Sequence, residues 1–133
     1  MVAAEQLNHA KNFLKKAEEY LASAEDNLAA GRHTPAAGDA IHAGITAKDA
    51  IVTALTGSTS KGKDHATAAK ELRQALGQRP QAATAEKAIR ELLSAKGDVE
   101  YGVAIVTRAK AEPLVRRTRT LVELAIQIVR VRR

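Results

Sequence analysis

Apolar residues at the start of the chain recur at helical spacing. Leu7, Leu14, Leu21 and Leu28 lie seven apart, and Ala10, Ala17 and Ala24 each follow a leucine by three. That is the a/d seam of an amphipathic helix. Its large and small residues alternate, so a neighbouring backbone can come close. Lys11, Lys15, Lys16, Glu18, Glu19, Glu25 and Asp26 fall on the wet arcs, and Gly31 supplies a C-terminal stop. The pattern predicts one long helix over 3–30.

A second helix follows, with Thr34 as its N-cap and Pro35 at its first position. Its apolar face runs Ala37, Ile41, Ile45, Ile51, Val52 and Leu55, and Gly57 stops it. Glycine inside a helix costs about 1 kcal/mol against alanine. Gly44 therefore implies close packing, expected against the first helix. Residues 57–63 have Gly, Ser and Lys but no apolar residue, and predict a linker. Asp64 is the expected N-cap of a third helix carrying Ala68, Leu72, Ala75 and Leu76 and ended by Gly77. Pro80 opens a fourth, with Ala85, Ala88, Ile89, Leu92 and Leu93 inward and Gly97 at its end. The stretch 98–107 reads as an irregular connection, because its β-branched residues have no partner strand. The last helix covers 108–131 on the stripe Leu114, Leu121, Val122, Ala125, Ile128 and Val129, with Pro113 marking its start or a kink. The expectation is an all-α, up-and-down bundle of about five helices in one domain, 1–133. Its first two helices should form an antiparallel hairpin that buries Leu14, Leu21, Ile41 and Ile45.

Composition agrees with a helical core. The 133 residues include 28 alanines and 12 leucines, and the aromatic residues are Phe13, Tyr20 and Tyr101. There is no cysteine, which excludes disulfides, thiolate metal sites and a cysteine nucleophile. The histidines are His9, His33, His42 and His65, and none is spaced as a helical metal pair, so neither metal nor cofactor is expected. The N-terminus lacks a basic stretch followed by an apolar run, and the apolar run Val103–Val106 is far short of the roughly 20 residues of a membrane span. A cytoplasmic protein without a membrane partner is the expectation.

The charge of +6 is uneven. Residues 114–133 carry Arg116, Arg117, Arg119, Arg130, Arg132 and Arg133 against Glu123 alone. This basic surface invites nucleic acid or an acidic protein; it also suits a solvated helix end. Lys61, Lys63 and His65 stand at the start of the third helix, where an anion can be held. His42, beside the apolar stripe of the second helix and near Asp39 and Thr46, is a further candidate ligand contact. Gly62-Lys63 is not a P-loop, since Asp64 replaces the required Ser or Thr. No catalytic constellation stands out.

The order of motifs resembles a known family. Lys16-Ala17-Glu18-Glu19-Tyr20-Leu21-Ala22-Ser23-Ala24 is followed by Gly31-Arg32-His33-Thr34-Pro35-Ala36-Ala37. Ile41 and Ala47-Lys48-Asp49-Ala50-Ile51 come next, then Gly62-Lys63-Asp64-His65 and Lys96-Gly97-Asp98-Val99-Glu100-Tyr101-Gly102. Over nearly the whole chain this is similar to the HEPN domain, the helical domain named for nucleotide binding in higher eukaryotes and prokaryotes. The resemblance implies a four- or five-helix bundle, frequently a homodimer, often encoded beside a nucleotidyltransferase in a bacterial toxin–antitoxin pair. Many members are RNases with an Arg followed after four to six residues by a His. Here the corresponding stretch has Lys96 in the Arg position and Tyr101 in the His position. Lysine can still bind phosphate, but tyrosine, with a pKa near 10, is a poor base at neutral pH. The expectation is a non-catalytic module that binds nucleotide, RNA or a partner protein. An atypical RNase and a purely structural dimeric subunit are the alternatives.

Overall fold

A computed structural model describes residues 2–60 and 65–131. Five helices follow in order: α1 (Ala4–Ala29), α2 (His33–Thr56), α3 (His65–Leu76), α4 (Ala82–Tyr101) and α5 (Arg108–Val131). Among the described residues there is no strand. The protein is an all-α bundle.

The turn after α1 shows how local sequence sets the topology. Gly31 has φ 80°, its N–H donates to the Leu28 carbonyl, and the Arg32 N–H donates to the Asn27 carbonyl. Paired bonds of this kind around a left-handed glycine close a helix and turn the chain back. α1 and α2 therefore run antiparallel. At the tip Asn27 donates to the Asp39 carboxylate at 3.1 Å, and at the far end Gly57 lies beside Gln6. Gly57 and Gly77 also take positive φ, 94° and 59°, behind α2 and α3.

α2 is the central element. It packs on each of the other four helices and buries Ala40, Ile41, Ala47, Ile51 and Val52 completely or nearly so. One core joins it to Leu14 of α1, Leu72 and Leu76 of α3, Ile89 and Leu92 of α4, and Leu121 and Val122 of α5. Leu14 and Ile41 are buried as expected. Leu21 and Ile45, expected to be buried, are only partly so and pack against the edge of the core.

Several boundaries differ from the sequence expectation. α2 begins at His33, so Thr34 lies inside its first turn and is not the N-cap. The Thr34 hydroxyl instead accepts the Val106 N–H at 3.1 Å, a bond to the distant α4–α5 connection. α4 begins at Ala82, and Pro80 lies in the turn ahead of it. Gly97 does not end α4, which continues to Tyr101 because Val99 is buried in the core; the irregular connection is only 102–107. Pro113 lies within α5, in its second turn.

Gly44 packs against different helices from those expected. A Cβ there would strike Leu92 Cδ1 of α4 and come within 2.8 Å of Thr118 Oγ1 of α5. The missing side chain thus lets α4 and α5, not α1, close onto α2. Thr118 is fully buried, and its hydroxyl donates to the Ala40 carbonyl. This bond satisfies a polar group that would be costly to bury alone.

Candidate functional site

Two of the residues singled out from sequence, His42 and Lys96, meet on Glu100 at the end of α4, and a third, Tyr101, follows directly in the chain. Tyr20 of α1 stacks on His42 of α2, with ring centroids 5.4 Å apart and planes 28° apart. His42 Nε2 lies 3.5 Å from Glu100 Oε1, and Lys96 Nζ lies 3.6 Å from Glu100 Oε2. Glu100 Oε1 takes no hydrogen bond, so the approach of His42 is an ionic contact that exists only when the imidazole is protonated. Lys96 and Glu100 meet because they are four apart on one helix. His42 does not reach Asp39; its carbonyl accepts the Thr46 hydroxyl at 2.7 Å.

Tyr101, the third, is next along the chain and faces water. It is 80% exposed, Val103 is 103% exposed and Ile105 86%. The backbone turns extended at Gly102, with φ −73° and ψ 158°, and Val106 re-enters the core. Three large apolar side chains therefore project from a few consecutive residues. The cations around them are engaged. Besides Lys96 with Glu100, Lys110 lies 3.6 Å from Asp98 and Arg108 3.1 Å from Glu112.

The other candidates are scattered. His65 is exposed at the first position of α3. Lys61, Lys63 and the expected cap Asp64 lie outside the described residues, as do Arg132 and Arg133. Each described arginine of the basic surface meets a carboxylate. Arg119 binds Glu25 of α1 through two nitrogens at 2.9 and 2.7 Å. Arg117 pairs with Glu91, Arg116 with Glu112 at 3.4 Å, and Arg130 with Glu18 at 3.2 Å. Glu18 and Glu25, read from sequence as facing water, thus tie α1 to α5. The four described arginines of this surface are thus each paired within the fold.

A polar cluster that the sequence did not single out lies between α2 and α3. Lys48 is 3% exposed. Its ammonium pairs with Glu71, donates to Thr59 Oγ1 at 2.9 Å and lies 3.3 Å from Asp49. Thr59 in turn donates to Asp49 at 2.8 Å, and the Ser60 N–H donates to Glu71 at 3.2 Å. Burial above all holds the Asp49 carboxyl above its ordinary range, although Thr59 and Lys48 oppose it. Burial also raises Glu71, but Lys48 and Ser60 together outweigh it and hold that carboxyl below its ordinary range. The cluster fixes α3 and residues 59–60 to α2, a structural task. Its signal was present in sequence: Lys48 falls seven residues after Ile41 and four before Val52, on the apolar stripe.

Among the described residues no group of three or more His, Asp or Glu could hold a metal ion. Among the same residues no helix is long and apolar enough to cross a membrane. A model of the HEPN domain family matches residues 10–129. No curated protein and no solved structure matches the chain.

Proposed function

The chain belongs to the HEPN domain family, a helical module related to nucleotides and RNA, and from that premise we propose that it acts without catalysis, by docking a partner protein on the face of Tyr101, Val103 and Ile105. The observation that carries this is the exposure of those three side chains among cations that are already paired. Apolar clusters rimmed by polar groups mark interaction sites in soluble proteins. Nucleic acid, by contrast, is held chiefly by cations free to meet phosphates. Lys96, Lys110 and Arg108 would each have to give up a carboxylate first.

The family link adds the class of partner. The occupant is a nucleotidyltransferase-type protein, in the setting of a bacterial toxin–antitoxin pair in the cytoplasm. The absence of catalysis rests on Lys96 and Tyr101 in place of the family's Arg and His. Lys96 is held by Glu100, and Tyr101 is a weak base at neutral pH.

Co-expression with the nucleotidyltransferase encoded beside this chain, followed by co-purification, tests the proposal. Wild type should carry the partner through purification, and Val103→Ser with Ile105→Ser should lose it while keeping the helical circular-dichroism spectrum. Labelled single-stranded RNA and a nucleoside triphosphate serve as competing ligands. Tight binding of either, abolished by Lys96→Ala and indifferent to the serine changes, would favour the nucleotide or RNA reading instead.

A further inference from the structure

We propose that Val103 and Ile105 are a pre-shaped plug that enters an apolar pocket of the partner protein, and that Thr34 is the residue that positions it. The inference rests on the docking role proposed for this face and adds what the partner must offer. Val103 is 103% exposed, as open as in a free peptide. A side chain that open stands on a convex tip. A flat surface could cover only one side of it, whereas a pocket removes all of it from water, and the gain from apolar burial grows with the area removed. Ala104 is exposed between the two large side chains and carries only a methyl group, so the tip is narrow. Residues 102–107 have no charged side chain, so the pocket needs no counter-charge at its floor.

Both ends of the loop are anchored. The Gly102 N–H donates to the Asp98 carbonyl at 3.0 Å, and a Cβ at 102 would strike that same backbone oxygen, so only glycine lets the chain leave α4 in this way. Thr107 caps α5: its hydroxyl accepts the Lys110 N–H at 3.3 Å and its carbonyl accepts the Ala111 N–H at 2.9 Å. Val106 is buried, and its N–H is held by the Thr34 hydroxyl. Between these anchors Val103, Ala104 and Ile105 make no hydrogen bond among the described residues. Thr34 is exposed on α2 and reaches the loop through that one hydroxyl, at a backbone amide. A loop already held in its bound shape gives up less conformational freedom on docking, which raises affinity chiefly by slowing dissociation. Losing the Thr34 acceptor frees the Val106 N–H and lets Val103 and Ile105 drift from the geometry that the pocket fits.

Binding kinetics of the full chain with the nucleotidyltransferase encoded beside it, read by interferometry, test the proposal. Val103→Ala should weaken binding about tenfold through the lost apolar burial. Val103→Phe should weaken it about as much, because a filled pocket rejects added volume. Thr34→Val should speed dissociation severalfold with little change in association, and Thr34→Ser, which keeps the acceptor, should bind like wild type. In the chain alone, Thr34→Val should speed hydrogen exchange of the Val106 amide severalfold, and Thr34→Ser should not. Val103 and Thr34 are exposed, so the circular-dichroism spectrum of each variant should match wild type. A wild type that captures no partner overturns docking itself, and the plug with it. Capture by wild type that Val103→Phe leaves intact or tightens overturns the plug alone, since a flat surface gains from a larger ring. Thr34→Val that dissociates like wild type removes Thr34 as the positioning residue. A chain that self-associates in sedimentation, and loses this on Val103→Phe, puts the pocket on a second copy and overturns the partner.

Discussion

Lys48 and Glu71 meet in an ion pair that joins the middle of α2 to α3, with the lysine side chain only 3% exposed. Removing the lysine leaves Asp49 and Glu71 facing each other with no cation between them. Lys48→Met should therefore destabilise the fold by about 1–3 kcal/mol, below the cost of a wholly buried pair because both carboxylates keep some water. Urea unfolding followed by circular dichroism measures it. An unchanged midpoint would remove Lys48 as the tie between the two helices.

The two carboxylates of this cluster act in opposite senses as pH falls. Glu71 titrates below its ordinary 4.5, so its stabilising contribution is complete above that value and is lost as pH drops through the depressed one. Asp49 titrates above its ordinary 3.8, so ionisation costs stability, and the folded state gains as pH drops through the raised value. Glu71→Gln should lower stability at pH 7, whereas Asp49→Asn should lower it less or raise it. Unfolding midpoints for both variants between pH 7 and pH 3 decide the matter. Equal losses at pH 7 would contradict the assignment.

Two glycines inside helices should respond with opposite sign. Gly44→Ala puts a methyl group onto Leu92 and Thr118 in a filled core and should cost about 1–3 kcal/mol. Gly97→Ala meets nothing within 4 Å, inside α4 and about one turn before its end, and should gain about 0.5–1 kcal/mol. Thermal midpoints of the two variants, moving in opposite directions from wild type, are the expected result.

The basic surface should contribute little to nucleic-acid binding. Arg116, Arg117, Arg119 and Arg130 are each paired with a carboxylate, and a phosphate would have to displace it. Wild type and a chain ended after Val129 should bind duplex DNA equally weakly at physiological salt. Each phosphate neutralised would add about −0.9 to the slope of log affinity against log salt. A steep slope in wild type that flattens on truncation would restore the nucleic-acid role to this tail.

Purified protein should not cleave RNA at neutral pH without metal. Lys96 is bound to Glu100, and Tyr101 stands in the family's histidine position. Cleavage that Tyr101→Phe abolishes would show the tyrosine acting in the histidine's place. Cleavage that survives Tyr101→Phe but falls with His42→Ala would point to the imidazole beside Glu100.

The sequence by itself determined the helices and most of their ends. Heptad leucines, alternating alanines and the glycines at 31, 57 and 77 act within a few residues, and their effects are local enough to read directly. It also displayed the family pattern and the missing Arg and His. Which helix meets which was decided only in three dimensions, because an apolar stripe states that a face is buried without stating against what. Gly44 shows this: its helical cost announced close packing, but its neighbours Leu92 and Thr118 lie some fifty and seventy residues away. The length of α4 was settled in the same way, since burial of Val99 carried the helix past Gly97. So was the fate of the charges. Arg119 and Glu25 are 94 residues apart in sequence, and only the packing of α5 on α1 turns a basic tail and an acidic surface into an ion pair. The Tyr101 face follows the same logic. Its apolar residues were visible in the chain, but their exposure depends on Val106 re-entering the core and bonding to Thr34, a contact that no local pattern encodes.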